Sequence, residues 1–380
     1  MRHIDKLIIT LFFIFCGGVA MAQENLWQGA GLSSPEVCED NSVIFRLYAP
    51  NAMKVAVVGD FAHGAQPMTQ NDYGVWEFRT EPLASEYYTY TFEVDGMTGV
   101  LDRSNVNTVR DVGSLMNYFI VGGDPGDLYV AHDVEHGTVS RVWATTGELS
   151  RRMAIYTPAG YEAGYRSYPV LYLLHGMGGD EEAWIATGRM AEIMDNLIAQ
   201  GDAEPMIVVM PNGCMRHDAA PSYTGEGEYK PYMSGSMDGS FESYFPAVVS
   251  WVDAHYRTYA SKEYRAIAGL SMGGFHAMQI SHNYPDMFNY VGLFSAAIYR
   301  GEEGVAMYEN LEEGIAEQFR RGVSLYWIGI GEDDFLYEEN VKFRKMLDAQ
   351  AAEYEYCQSE GGHTWRNWRC YLAEFVQELF

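Results

Sequence analysis

From Asn41 to about Gly123 the apolar residues come in short runs that alternate with polar ones, the period of half-buried strands. Val43-Ile44-Phe45-Arg46-Leu47-Tyr48-Ala49 is one run, closed by Pro50-Asn51. Residues 54–58, 75–79 and 87–94 form three more, the last followed by the hairpin pair Asp95-Gly96. No helical period interrupts them, so residues 23–123 are expected to form an all-β sandwich. Gly122-Gly123-Asp124-Pro125-Gly126-Asp127 is rich in turn formers and marks a boundary, with residues 124–140 as linker and first strand of a second domain.

The pattern then changes. Strands near residues 136–144 and 150–157 lead into fully apolar runs at 170–174, 206–210, 264–268, 290–294 and 325–330, with a further strand around 353–357. Helical periods at 190–199, 241–255 and 341–352 lie between them. Strand and helix in alternation predict an α/β domain over residues 141–380, its mainly parallel sheet covered on both faces. There is no internal repeat and no low-complexity run.

One stretch of this second domain carries chemistry. In Ala266-Ile267-Ala268-Gly269-Leu270-Ser271-Met272-Gly273-Gly274-Phe275-His276 an apolar strand runs into a glycine-flanked serine and then into an amphipathic segment that Tyr284-Pro285 stops. Side chains at Gly269 and Gly273 would collide with a strained strand-to-helix turn, so the pattern suits a nucleophile elbow. A nucleophilic serine needs a base, and the base an orienting acid, in the order Ser, acid, His along an α/β-hydrolase chain. The strand at 325–330 opens into Gly331-Glu332-Asp333-Asp334-Phe335, so the acid is Asp333 or Asp334. The strand at 353–357 opens into Gly361-Gly362-His363-Thr364-Trp365, which makes His363 the base. His175, His255 and His276 sit at strand or helix positions that suit structural roles. The oxyanion hole is expected from the amides of Met272, after the nucleophile, and of Met177 in His175-Gly176-Met177-Gly178-Gly179.

Composition narrows the partners. The chain has 52 acidic against 25 basic residues, a net charge of −27, which excludes nucleic acid and anionic membrane surfaces as natural partners. Met1 to Ala22 reads as a targeting segment: Arg2, His3 and Lys6 precede an apolar run to Phe15, and Ala20-Met21-Ala22 offers a cleavage site. Bulky Phe15 before Cys16 argues against a lipoprotein, so a secreted or periplasmic protein is expected, with no membrane span after cleavage. Cys38, Cys214, Cys357 and Cys370 then remain without zinc-type spacing, so no metal is indicated. Cys357 and Cys370 bracket His363 and suit either a bridge or two buried thiols.

Each domain also resembles a known family. Phe45-Arg46-Leu47-Tyr48-Ala49-Pro50-Asn51-Ala52 and Val57-Val58-Gly59-Asp60-Phe61 resemble the immunoglobulin-like modules related to family-48 carbohydrate-binding modules; Trp76, Tyr87, Tyr88 and Tyr90 are candidates for a stacking platform there. The motifs at Leu173–Gly179, Ala266–Gly274, Gly331–Phe335 and Gly361–Trp365 resemble family-one carbohydrate esterases, the feruloyl and acetyl-xylan esterases related to esterase D. That resemblance implies an α/β-hydrolase fold and a cofactor-free acyl-enzyme mechanism, and its glycine-x-x-aspartate pattern favours Asp334. The long Tyr- and Gly-rich stretch 216–244, with Trp184, Tyr299, Phe335 and Trp365, could wall a cinnamoyl pocket. The expected substrate is a feruloylated or acetylated polysaccharide such as arabinoxylan. Acetyl-xylan esterase, siderophore catecholate esterase, mycolyltransferase-type acyltransferase and non-catalytic carbohydrate-binding protein are the alternatives. Oligomeric state is not legible.

Overall fold

The computed structural model describes residues 31–221 and 236–380. The expected targeting segment and part of the 216–244 stretch therefore lie outside the described residues. The first domain holds ten strands: β1 (Glu36–Val37), β2 (Val43–Tyr48), β3 (Val55–Gly59), β4 (Gln66–Pro67), β5 (Thr69–Gln70), β6 (Val75–Arg79), β7 (Glu86–Val94), β8 (Met97–Val100), β9 (Thr108–Asp111) and β10 (Ser114–Val121). They form two sheets, ordered β1-β2-β6-β5 and β4-β3-β7-β10-β9, with β8 paired to β7. Period-2 alternation sets which side chains meet between the sheets. Phe45 from β2, Tyr90 and Phe92 from β7 and Phe119 from β10 fill the space, with Phe45 4.9 Å from Tyr90 and 5.5 Å from Phe119 between ring centroids.

The opposite faces of β7 and β10 point the other way. Tyr87, Tyr118 and Ile120 leave the sandwich core and pack into the core of the second domain, Tyr87 stacked on Tyr118 at 4.7 Å. This corrects the expected sugar platform: Trp76, Tyr87, Tyr88 and Tyr90 are all buried, divided between two cores, so none offers a free ring face. The expected linker is likewise docked. A short 3-10 turn at Gly126–Tyr129 buries Tyr129 completely, and Asn196 donates to the carbonyls of Leu128 and Val130 at 3.0 and 2.9 Å.

The second domain is an eight-stranded sheet: β11 (Thr138–Thr146), β12 (Leu149–Thr157), β13 (Val170–Leu174), β14 (Ile207–Pro211), β15 (Arg265–Leu270), β16 (Tyr290–Phe294), β17 (Leu325–Gly331) and β18 (Glu355–Ser359), ordered β11-β12-β14-β13-β15-β16-β17-β18. β11, β12 and β14 pair antiparallel; every pair from β14 onward is parallel. Around it lie α1 (Ala183–Ala186), α2 (Met190–Gln200), α3 (Ser240–His255), α4 (Met272–Asn283), α5 (Leu311–Arg320), α6 (Tyr337–Ala349) and α7 (Trp365–Gln377). This is the α/β-hydrolase arrangement the residues predict. The chain leaves β13 for β14 on one side and returns to β15 on the other, so the carboxyl ends of β13 and β15 form a switch point. Three helices, α1, α5 and α7, were not anticipated. Among the described residues no helix is long and apolar enough to cross a membrane. Cys38, Cys214, Cys357 and Cys370 are free thiols, so the 357–370 bridge is not formed; burial pushes the Cys357 thiol up to about 12.

Candidate active site

β15 ends at Leu270, and Ser271 takes φ 54° and ψ −114° before α4 begins. That conformation is costly for a residue with a Cβ and is retained where the surroundings impose it. The Ser271 amide donates to Phe294 on the next strand at 2.8 Å, and its carbonyl accepts from Ala297 at 3.1 Å and Phe275 at 3.1 Å. A Cβ on Gly273 would run into the carbonyls of Leu174 and His175, and one on Gly269 would lie 2.5 Å from Gly273. The helix thus enters against β13 with no room for side chains, which lifts the serine to the end of the sheet.

β17 and β18 are neighbours, with Gly331 opposite Ser359, so the loops after them meet. The Asp334 carboxylate, 4% exposed, accepts from His363 Nδ1 at 3.1 Å through Oδ1 and 2.9 Å through Oδ2. The carboxylate thus holds Nδ1 and not Nε2. The Leu336 amide fixes Oδ1 at 2.9 Å. Asp333 is exposed, and its amide holds Gly361 at 3.0 Å, so it serves the loop rather than the imidazole. Phe335 lies 4.5 Å from the His363 ring and Trp368 meets it edge-on at 4.9 Å. Ser271 and His363 line the same cavity of about 650 Å³ without a hydrogen bond between them. Such looseness is usual in a substrate-free site.

The β13–α1 loop approaches the serine closely. A Cβ on Gly176 would clash with Leu270 and lie 3.3 Å from Ser271 Cβ. The amides of Met177 and Met272 make no hydrogen bond among the described residues and belong to residues that line the cavity. His175 clamps the loop: Nε2 accepts from the Gly213 amide at 2.8 Å, so the proton sits on Nδ1, which donates to Gly176 O at 2.8 Å. Burial holds its pKa below the ordinary value, in keeping with a neutral tautomer. His276 is buried against Glu242 at 2.7 Å, and His255 stacks on Trp251 at 4.0 Å; both are structural.

Of the expected aromatic wall, Phe335 and Trp365 line the cavity. Trp184 does not. It is 1% exposed, donates Nε1 to Leu174 O at 3.0 Å and meets Trp365 and Phe294 edge-on, so it backs the wall instead of facing the ligand. Tyr299 is also misplaced, lying on a neighbouring cavity of about 470 Å³ lined by α5 and the loop before it. Met237, from the 216–244 stretch expected to wall the pocket, also lines this cavity, and Arg300, Trp368, Asp111 and Val112 line it without having been expected there. The last two come from the sandwich, at the β9–β10 turn. Arg110 beside them bonds Val112 O at 2.8 Å and the buried Asp180, next to the Gly176–Gly179 loop, at 2.5 Å. Asp111 accepts a hydrogen bond from Trp365, and burial raises its carboxyl. Nothing in a single sequence marks these residues, because their partners lie about seventy to two hundred and fifty positions away.

Comparison with known proteins agrees with this arrangement. The Esterase family profile matches residues 145–379. The chain belongs to that family. Carbohydrate-binding module 48 (isoamylase N-terminal domain) matches residues 31–110 of the same chain. The esterase is 29% identical over 360 residues to an endo-1,4-beta-xylanase/feruloyl esterase of Xylanibacter ruminicola, covering 92% of this chain and 46% of that protein. It is 32% identical over 182 residues to an esterase of Mycobacterium tuberculosis, covering 46% and 36% respectively. The chain thus spans less than half the length of either relative. In fold it is similar to the feruloyl esterase module from Clostridium thermocellum complexed with sinapinate, with TM-score 0.54, 21% identity and coverage of 68% and 92%. It is similar over both domains to the enterobactin esterase from Shigella flexneri, with TM-score 0.61, 16% identity and coverage of 93% and 97%. The chain is thus an esterase-family protein with an amino-terminal module of the carbohydrate-binding module 48 type. Among its described residues no three His, Cys, Asp or Glu are placed to hold a metal ion.

Proposed function

We propose that this esterase releases ferulic or a related hydroxycinnamic acid from plant cell-wall polysaccharide. In the proposed mechanism His363 takes the Ser271 proton as the hydroxyl attacks the ester carbonyl, and Asp334 holds the imidazole and stabilises its charged form. The amides of Met177 and Met272 receive the oxyanion. His363 then protonates the departing alcohol, and water, activated by the same imidazole, frees the acid. The triad, the oxyanion amides and the substrate are all part of this proposal.

The observation that carries it is the wall of the cavity. Met177, Met237, Leu270, Phe335, Trp365 and Trp368 enclose about 650 Å³ beside Ser271, an apolar space suited to a planar aromatic acyl group and far larger than an acetyl group fills. The printed names of the xylanase/feruloyl esterase relative and of the feruloyl esterase structures support the choice. The likeness to an enterobactin esterase over both domains supports a second reading, an aromatic catecholate ester. Initial rates on methyl ferulate, 4-nitrophenyl acetate and a catecholate ester, with Ser271→Ala as control, separate them. Ferulate turnover that falls by about 10⁴-fold or more in the variant is expected; turnover of acetate or catecholate alone would refute the cinnamoyl reading. We also propose export by residues 1–22, which amino-terminal sequencing of the mature protein checks: an intact Met1 on exported protein would refute cleavage.

A further inference from the structure

The neighbouring cavity of about 470 Å³ lies on the esterase domain between α4, α5 and the loop that follows β16. It shares no lining residue with the catalytic cavity and takes none from the sandwich. The chain at 297–301 separates the two: Ala297 and Arg300 line the catalytic cavity, Ile298, Tyr299 and Gly301 this one. Its floor is apolar. Phe275 and Ile298 are each 1% exposed, and Val305, Leu311 and Met346 add to them. Tyr308 meets Phe275 edge-on at 4.9 Å; its hydroxyl accepts from the Gly239 amide at 2.7 Å and donates to Glu242 at 3.0 Å, so only the ring is left to the cavity. One polar group is set into this floor. Gln279 is 2% exposed and lines the cavity. Its Oε1 accepts from His282 Nε2 at 2.7 Å, whereas its Nε2 donates to no acceptor among the described residues. A buried carboxamide normally has partners at both ends, so an idle NH₂ group beside a cavity marks the place of an acceptor from outside the chain.

The rim has the opposite character. Glu302, Glu303, Glu309, Glu312 and Glu313 are exposed carboxylates around one opening, and among the described residues none of them pairs with a lysine or arginine. Two have a local reason to be there: Glu312 and Glu313 stand in the first turn of α5, where the helix dipole favours negative charge. Glu302, Glu303 and Glu309 have no such reason, and like charges gathered at one mouth repel one another until a cation joins them. The net charge of −27 draws cations to the whole surface, and the rim concentrates that attraction at the cavity. Among the described residues no three carboxylates are placed to hold a metal ion. This favours an organic cation, which spreads its contacts, over a metal ion, which needs several oxygens at once. We infer that this cavity is a second ligand site for a small organic amine, its ammonium at the carboxylate rim, its apolar body over Phe275 and Tyr308, and a hydroxyl or carbonyl acceptor at Gln279. The inference does not depend on the ester chemistry at Ser271.

Three probes dissect the site without any variant. Tyramine carries the ammonium, the ring and the acceptor; phenethylamine lacks the hydroxyl, and tyrosol replaces the ammonium with a neutral hydroxyl. In titration calorimetry of the full chain, tyramine is expected to bind about fivefold or more tighter than either analogue, each of which gives up one contact. Gln279→Met should weaken tyramine about fivefold and leave phenethylamine within about twofold, since phenethylamine has no acceptor to lose. A general loss of fold would weaken both. Glu302→Gln/Glu303→Gln/Glu309→Gln, all at exposed positions, should weaken both amines about fivefold. Glu81→Gln/Glu135→Gln, at exposed acids that do not line the cavity, should leave both within about twofold. Absence of saturable tyramine binding would leave Gln279 to water and overturn the site. Tyramine bound no tighter than phenethylamine would overturn the role of Gln279. Equal weakening by the two sets of acid substitutions would assign the amine to the diffuse field of the chain, and binding that survives both Gln279→Met and the triple substitution would place it elsewhere; either result overturns the inference.

Discussion

Arg369 is the place to test whether the two domains are one folding unit. It lies on α7, 2% exposed, and donates to Thr187 O at 2.9 Å, Glu86 Oε1 at 2.9 Å and Tyr87 O at 3.2 Å. The rings of Tyr87 and Tyr129 flank its guanidinium at 4.8 and 5.0 Å. Glu86, on the sandwich, is 1% exposed; apart from Arg369 it has the Tyr87 amide at 2.7 Å and the exposed Arg366 at 3.6 Å. Arg369→Met would strand that carboxylate in the seam. Removing one partner of a buried ion pair costs about 3–5 kcal/mol, whereas replacing both with apolar groups of similar size is often close to neutral. The single variant should therefore lose about 3–5 kcal/mol, a fall in Tm of roughly 4–7 °C if both domains unfold together. The double variant Glu86→Leu/Arg369→Met should recover most of it, to within about 2 kcal/mol of the parent. Denaturant unfolding followed by tryptophan fluorescence reads both numbers. A loss under about 1 kcal/mol in the single variant, or a double variant as unstable as the single, would show that the pair does not join the domains as argued.

The same geometry predicts three further outcomes. Asp334→Asn should lower kcat by about 10⁴-fold because the His363 tautomer is no longer fixed, while Asp333→Asn should stay within a few-fold; similar losses in both would move the acid to the wrong side of the loop. Trp184→Phe removes the bond to Leu174 and part of the wall's backing, so it should destabilise by about 1–3 kcal/mol with KM for methyl ferulate within about threefold; a large rise in KM with unchanged stability would restore Trp184 to the substrate. Burial holds the folded His282 pKa down to about 4. The unfolded chain, titrating near 6.5, therefore binds more protons, and stability falls as pH drops from about 6.5 to about 4, by up to about 3 kcal/mol from this group. The buried His175 contributes in the same direction. In His282→Leu the decline between pH 7 and pH 4.5 should be shallower in urea titrations, and an unchanged slope would assign it elsewhere.

The elbow was legible because its constraint is local: a strand, two glycines that cannot carry a Cβ and a helix are consecutive in the chain. Asp334 and His363 were legible because chain order matches sheet order from β15 to β18, so motifs in sequence become neighbours in space. Phe335 and Trp365 lie beside those motifs and came with them. Trp184 and Tyr299 lie farther along the chain from any of the motifs' glycines, and there a ring can as well back a wall, or line the next cavity, as face the ligand. Helix α7 was visible in principle, since Trp365, Trp368, Tyr371, Leu372, Phe375 and Val376 recur at helical spacing. Its inward face, and Arg369 on it, gain meaning only from a sandwich more than two hundred and fifty residues earlier.

That long-range dependence bears on what the amino-terminal module is. A module that merely tethers an enzyme to polysaccharide should carry a polar outer surface and a loose linker, so that it can fold and move alone. Here Tyr87, Tyr118 and Ile120 on the outer face of the second sheet are packed with Leu171, Trp368, Tyr371 and other residues of the esterase core, and Tyr129 of the connecting turn is fully buried among them. Cut at the connection, the sandwich would expose that apolar face together with Glu86. The esterase half would lose the wall formed by Asp111 and Val112 and the Arg110 anchor at Asp180, beside the Gly176–Gly179 loop. The energetic reason for keeping the halves together and the shape of the site therefore rest on the same junction: the packing that buries the seam also brings Asp111 and Val112 of the sandwich to the cavity that Ser271 and His363 line.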